Sequence, residues 1–173
     1  MKISELKKHI RDIPNFPQEG IIFKDISTLL KNKDAFKKFI DLLAKRFKSE
    51  RIEYIVGVEA RGFIFGSALA YKLGAGFIPV RKKGKLPYRT KSVTYQLEYG
   101  SDTLEIHEDA LKANARVLIV DDLLATGGTI KAVIDLIKAQ KAKIVGVAFV
   151  IELKFLKGKD RLSDLPIYSL IHY

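Results

Sequence analysis

Two adjacent acidic residues and a glycine-rich segment lie side by side in the C-terminal half of the chain. Asp121 and Asp122 follow the apolar run 117–120, and residues 125–129 read Ala-Thr-Gly-Gly-Thr. Because loop amides at the positive end of a helix dipole bind anions, this segment predicts a phosphate site. The acids would repel phosphate unless they bind something else, and vicinal sugar hydroxyls suit them. The pattern therefore predicts a ribose 5-phosphate site; the alternative is an N-capping Asp in a tight strand–helix turn. The predicted phosphate-binding residues are Ala125, Thr126, Gly127, Gly128 and Thr129.

Other motifs for phosphate binding or catalysis are missing from the sequence. It contains no GxxxxGK[ST] segment, and no GxGxxG follows a predicted strand. It has no cysteine, which excludes thiol nucleophiles, disulfides and Cys-ligated zinc. The three histidines, His9, His107 and His172, are far apart, so surface or core roles are the simpler interpretation.

The positive charge of the chain is unevenly distributed. Lys and Arg total 31 against 20 Asp and Glu, a formal net charge of +11. Residues 60–97 hold eight cations and no acid, and six of these cations lie between Arg81 and Lys91. The excess favours an anionic partner: a nucleic acid, a membrane surface or a phosphorylated small molecule. The alternative is a solvated basic loop.

The pattern of apolar residues predicts a single α/β domain with a mainly parallel sheet. Residues 93–99 alternate apolar and polar side chains, which predicts an antiparallel hairpin with 102–107. The first 30 or so residues have their own turn signals and are expected to cover one edge of the sheet. Helices are predicted at 34–48, with Asp34 as N-cap, 62–73 and 129–140. Buried strands are predicted at 116–120 and 143–151, and further strands at 52–58, 77–80 and 167–173.

The sequence also allows predictions about membrane association and cellular compartment. Its longest apolar stretch, 144–151, is far shorter than the roughly 20 residues that span a bilayer, so no membrane partner is expected. The lack of cysteine is compatible with a reducing compartment, and we expect the cytoplasm.

Four segments together resemble the type I phosphoribosyltransferases, which use 5-phosphoribosyl 1-pyrophosphate (PRPP). Residues 117–129 match the family's PRPP signature, and 59–63 resemble its pyrophosphate loop. Residues 81–87 with 97–100 resemble the flexible loop over the active site, and 16–26 resemble the base-site segment of the adenine-specific members. The resemblance covers essentially the whole chain. It implies that family's fold, with an N-terminal hood over 1–33 and a core over 34–173 that carries a flexible β-hairpin loop near 82–98.

The resemblance also implies a reaction, adenine plus PRPP giving AMP plus pyrophosphate, and roles for individual residues. Asp121 and Asp122 would bind the ribose hydroxyls. Arg81 would reach across the interface of a homodimer, and a cis peptide would join Glu59 to Ala60. Mg²⁺ would be held through substrate and water rather than by side chains. The implied pyrophosphate residues are Glu59, Ala60, Arg61, Arg81, Lys82 and Lys85.

For the base, the resemblance points to the backbone of Ile22 and Lys24, with Phe23 and Leu123 packing on the two faces of the ring. Glu98 would exchange a proton at N7 of adenine and, with Arg61, act in catalysis. On the residues alone, a solvated carboxylate is the favoured role for Glu98, whereas core packing and base contact are equally supported for Phe23. Two other functions stay open: transfer to another base, and a PRPP-binding regulator that binds nucleic acid on the same fold.

Overall fold

The computed structural model describes residues 3–96, 100–162 and 164–173. The helices are α1 (Ile3–Lys7), α2 (Ser27–Leu30), α3 (Lys33–Phe47), α4 (Arg61–Leu73) and α5 (Gly128–Ala139). The strands are β1 (Arg11–Pro14), β2 (Ile22–Asp25), β3 (Tyr54–Val58), β4 (Gly76–Lys82), β5 (Thr90–Gln96), β6 (Ser101–His107), β7 (Arg116–Leu124), β8 (Lys143–Glu152) and β9 (Ile167–His172). Short 3₁₀ helices lie at Lys48–Glu50, Lys154–Leu156 and Gly158–Leu162.

Within the described ranges, the central sheet has seven strands in the order β5-β6-β4-β3-β7-β8-β9. The neighbours from β4 to β9 pair in parallel, whereas β6 pairs antiparallel with both β4 and β5. The predicted α/β class and mainly parallel sheet are therefore confirmed. The predicted hairpin is present as β5 and β6, but Ser101, expected in the turn, is in β6 opposite Gln96. Residues 97–99 of the predicted first strand lie outside the described residues.

Helices cover both faces of this sheet, which explains the unbroken apolar run of β7. Successive side chains of a strand point to opposite faces. Leu118 and Val120 accordingly join the cluster that contains α3 and α4, whereas Val117 and Ile119 join the cluster that contains α5. All four are essentially buried, so the end of β7 is held on both sides.

The N-terminal segment forms its own small sheet, in which β1 and β2 pair antiparallel. It lies at the β9 edge of the central sheet: α1 contacts β9, and the Lys7 Nζ donates to the His172 carbonyl over 2.6 Å. The expected covering of one sheet edge is observed.

Two details differ from the sequence-based predictions. The N-cap of α3 is Asn32, whose side chain accepts hydrogen bonds from the amides of Asp34 and Ala35, so Asp34 lies in the first turn instead. Strand β7 does not stop at residue 120, because its pairing with β8 continues to Leu124. The two acids are consequently part of the strand.

In the part of the chain that the structure describes, no helix combines the length and hydropathy needed to cross a bilayer.

Candidate functional site

The carboxyl ends of β3 and β7 lie side by side because the two strands pair in parallel, with Gly57 opposite Val120. Glu59, Ala60 and the start of α4 follow β3 at this edge. The acid pair lies near the end of β7 at the same edge, where open α/β sheets bind ligands. The sheet therefore brings together two of the segments predicted to contact PRPP.

The acid pair, Asp121 and Asp122, is poorly neutralised by the protein. The Asp121 Oδ1 accepts from the Asp122 amide over 2.9 Å. The Arg61 Nε lies 2.9 Å from the Asp122 Oδ2, yet this buried oxygen has no aligned hydrogen bond from any described group. Burial raises the pKa of both carboxyls; the charge of Asp122 adds to the rise at Asp121, whereas Arg61 opposes the rise at Asp122. The site thus holds an acid oxygen that a donor group of a ligand could satisfy.

The predicted phosphate segment forms a small polar cavity at the N-terminus of α5. The cavity is about 70 Å³. Gly127 has φ of +83°, in the left-handed region that favours glycine, and directly precedes the helix. The residues predicted to bind phosphate line this cavity together: Ala125, Thr126, Gly127, Gly128 and Thr129.

Three residues that the sequence analysis missed border this loop. A Cβ on Gly158 would lie 2.1 Å from the Ala125 carbonyl oxygen, so the loop packs directly on the Gly158 backbone. The Arg161 Nη1 would lie 4.0 Å from a Cβ on Gly128, and the Tyr95 hydroxyl lies 3.5 Å from the Thr129 Oγ1. A glycine in a loop was the only signal for Gly158, and no local pattern marks Arg161 or Tyr95.

The predicted pyrophosphate residues gather around Glu59. Its carboxylate accepts from the Lys85 Nζ (2.7 Å), the Arg81 Nε (3.2 Å) and the Lys82 amide (3.0 Å). Burial acts to raise the pKa of Glu59, but these donors outweigh it and lower the pKa to about 2. The expected cis peptide between Glu59 and Ala60 is present. Arg81 is therefore paired within its own chain, and its predicted reach into a partner subunit stays a prediction.

Acidic residues from other segments pair with residues 81–85 of the cation-rich segment. The Lys82 Nζ lies 3.0 Å from the Asp102 Oδ2, which raises the pKa of Lys82. The Gly84 amide donates to the buried Glu105 over 2.9 Å. Together with Glu59, these acids connect the segment 81–85 to the end of β3 and to β6. The alternative of a solvated basic loop therefore does not describe residues 81–85.

The predicted base residues line a second, larger cavity of about 460 Å³. Ile22, Phe23, Lys24 and Leu123 all border it. Arg61 lies over the Phe23 ring with its guanidinium carbon 5.0 Å from the centroid, so it connects the base segment to the acid pair. Four further lining residues were not anticipated, since they lie more than 120 positions from the base segment: Leu153, Phe155, Leu156 and Tyr173.

Two predictions are not tested by this geometry. Glu98 lies outside the described residues, so its role stays a prediction. Among the described residues, no group of three or more His, Asp or Glu side chains could hold a metal ion.

Comparisons with known proteins agree with one another. Residues 25–166 match the family model described as phosphoribosyl transferase domain. An adenine phosphoribosyltransferase of Brachyspira hyodysenteriae is 59% identical over 98% of this chain and 99% of its own length. The crystal structure of adenine phosphoribosyltransferase from Thermoanaerobacter pseudethanolicus has a TM-score of 0.97 and 50% identity, covering 99% of this chain and 100% of that chain.

A further similar structure carries ligands. It is the Saccharomyces cerevisiae adenine phosphoribosyltransferase complexed with an imino-altritol bisphosphate and adenine. It has a TM-score of 0.92 and 45% identity and covers 97% of both chains.

Proposed function

We infer that this chain, which belongs to the adenine phosphoribosyltransferases of the phosphoribosyltransferase family, transfers the phosphoribosyl group of PRPP to adenine and releases AMP and pyrophosphate. It is a pentosyltransferase of purine salvage, with small-molecule substrates. The observation in the site that supports this most directly is the adjacency of two unlike cavities. Leu123 and Ala125 border both the apolar cavity and the polar cavity beside the acid pair. Together the cavities suit the base and the 5-phosphate of one nucleotide.

The ribose would lie between these two cavities, on Asp121 and Asp122. A ribose hydroxyl that donates to the Asp122 Oδ2 would supply the hydrogen bond that this buried oxygen lacks. Arg61 would then exchange partners, leaving Asp122 for the negatively charged pyrophosphate. The exchange keeps both groups paired while substrate is bound.

Catalysis would depend on charge and alignment rather than on a covalent nucleophile. Breaking the C1′–O bond leaves positive charge on the ribose and negative charge on pyrophosphate, and N9 of adenine then forms the new bond to C1′. Arg61, Arg81, Lys82 and Lys85 would stabilise the leaving pyrophosphate, as would amides near the Glu59–Ala60 peptide. Holding adenine in line between Phe23 and Leu123 lowers the entropic part of the barrier.

Adenine must also lose a proton as the product forms. We expect Glu98 to accept it at N7, as the family resemblance implies. The backbone of Ile22 and Lys24 would read the purine edge, because backbone groups present a fixed pattern of donors and acceptors.

We expect Mg²⁺ to accompany PRPP. Mg²⁺ commonly keeps several waters and binds substrate phosphates, so substrate oxygens and water would hold it here rather than side chains. When bound, the ion would neutralise part of the pyrophosphate charge.

We further propose a cytoplasmic homodimer. Tyr71, 91% exposed, and Ile64, 39% exposed, present apolar surface on the outer side of α4. Sedimentation velocity tests the assembly directly, with one species of twice the chain mass as the expected result.

Two other functions are less favoured. An enzyme for another base would share the acid pair but not the similarity to adenine enzymes, and a nucleic-acid-binding regulator would not need the base cavity. The decisive assay incubates the protein with adenine, PRPP and Mg²⁺ and identifies products by mass spectrometry. Formation of AMP and pyrophosphate is expected. Absence of AMP, or AMP formation that needs no PRPP, would exclude the proposed function.

A further inference from the structure

Tyr173 lines the base cavity and contacts residues from two distant parts of the chain. The Nζ atoms of Lys7 and Lys24 lie over its ring, 3.9 Å and 3.7 Å from the centroid. Lys7 comes from α1, and Lys24 comes from the strand predicted to read the purine edge. The ring is therefore a common contact of the hood and the base segment.

The Lys24 side chain is held under this ring rather than aimed at a ligand. It is 9% exposed, and its Nζ also lies 2.7 Å from the Asp12 Oδ1. Burial and the nearby Asp12 raise the pKa of Tyr173 above its ordinary value of 10.0, which is already well above physiological pH. A neutral electron-rich ring attracts ammonium groups, and the attraction grows when the pair is desolvated.

The backbone of Tyr173 holds the opposite wall of the same cavity. Its amide donates to the Glu152 carbonyl (3.0 Å), and its carbonyl accepts from the Lys154 amide (2.9 Å). These two bonds flank Leu153, which lines the cavity. One residue thus connects the wall formed by 22–24 with the wall formed by 153–156.

We propose that Tyr173 is a positioning residue for the purine base: its ring fixes the base-reading strand through Lys24, while its backbone fixes the wall that carries Leu153. The proposal rests on the proposed function, since it concerns the same cavity. It places no demand on the acid pair or the phosphate loop. Loss of the ring should therefore weaken the use of adenine and leave the use of PRPP intact.

The test compares Tyr173→Leu with Tyr173→Phe in steady-state kinetics, varying adenine at saturating PRPP and then the reverse. The leucine variant removes the attraction for both ammonium groups, so KM for adenine should rise about 10-fold. KM for PRPP should stay within about twofold of wild type, because only the base interaction changes. The phenylalanine variant keeps the ring and should restore KM for adenine.

A second pair of variants leaves the cavity lining unchanged. Lys7→Met removes one ammonium group from the ring and should raise KM for adenine about threefold. Lys8→Met, at an exposed neighbouring position, is the matched control and should have no effect. If circular dichroism shows that Tyr173→Leu does not fold, the comparison of Lys7→Met with Lys8→Met tests the proposed role of Tyr173 instead.

The proposal is overturned if a folded Tyr173→Leu variant keeps the wild-type KM for adenine, or if KM rises equally for adenine and PRPP. It is also overturned if Lys7→Met and Lys8→Met behave alike. If the wild-type protein uses a different purine, the proposed function fails. The same comparison made with that purine then tests Tyr173 separately.

Discussion

Two acidic sites at the same edge of the sheet differ in how the protein treats them. Glu59, after β3, accepts from Lys85, Arg81 and the Lys82 amide, and its pKa is lowered to about 2. The pair on β7 has one cation, no aligned hydrogen bond at the Asp122 Oδ2, and raised pKa values. Glu59 is satisfied by its own chain, whereas the β7 pair lacks the partners that a substrate would supply.

This contrast assigns different tasks to carboxylates at the same edge of the sheet. Glu59 organises Arg81 and Lys85 before any ligand is present. Burial of Asp121 and Asp122 instead disfavours their charged form in the free protein. Under the proposed function, a ligand that donates hydrogen bonds to them would offset this cost. The variants below test these two acidic sites and two residues outside them, Glu98 and Gly158.

The largest effect is expected from removing the charge of the β7 pair. The double variant Asp121→Asn, Asp122→Asn should weaken PRPP binding by about 10²–10⁴-fold, since hydrogen bonds to charged groups contribute about 1.5–3 kcal/mol each. Isothermal titration calorimetry measures this directly. Wild-type affinity in the double variant would contradict the ribose assignment.

The same variant should be more stable than wild type at pH 7. Carboxyls with raised pKa values add stability below the ordinary value of 3.8 and lose it as pH rises through the folded-state values. The advantage of the Asn variant in melting temperature should therefore grow as pH rises above 3.8. A variant less stable than wild type at pH 7 would show that the pair is well compensated after all.

A fourth acid, Glu98, tests whether the chemistry depends on a carboxylate outside both sites. Glu98→Leu should lower kcat by about 10²–10⁴-fold, the usual contribution of general acid–base catalysis, with little change in PRPP affinity. Presteady-state measurement of AMP formation separates this step from product release. An unchanged rate of the chemical step would show that Glu98 is a solvated carboxylate without a catalytic role.

Support of the phosphate loop can be tested at Gly158. In Gly158→Ala the new methyl group would collide with the Ala125 carbonyl and displace the loop. A displacement of about 1 Å can cost about 10²-fold, so kcat/KM for PRPP should fall by that order. Lys159→Ala, at the exposed next position, is the control and should retain activity. Equal activity of the two variants would show that the loop adapts.

The smallest effect is expected from Glu59. Because its pKa is lowered from 4.5 to about 2, its pairing adds stability above pH 4.5 that is lost as pH falls toward 2. Glu59→Gln should reduce the free energy of unfolding by about 1–3 kcal/mol at pH 7, and the difference from wild type should shrink between pH 4.5 and pH 2. Urea unfolding at several pH values measures it. A difference that does not vary with pH would argue against the paired carboxylate.

Local sequence was enough to predict much of this molecule. The buried strands, the helix after 128 and the hairpin follow from apolar periodicity, and the phosphate loop follows from its glycines. Residues joined only by the fold were not predictable in this way. Tyr173 contacts Lys7, which lies 166 positions away in the sequence. Gly158, in the segment after β8, packs against Ala125. The contacts of Asp102 and Glu105 with residues 82–84 were not predicted for the same reason, because strand pairing brings these residues together.

The most direct test of the account is the choice between adenine and hypoxanthine. Adenine presents a 6-amino donor beside an N1 acceptor, whereas hypoxanthine presents a 6-oxo acceptor beside an N1–H donor. The proposed readers of the base, backbone groups at 22–24, have a fixed pattern of donors and acceptors that cannot suit both bases. Sites of this kind can reject the wrong ligand by about 10⁴–10⁵-fold. We therefore expect kcat/KM with PRPP to favour adenine by that order. Comparable kcat/KM values for the two bases would contradict the account.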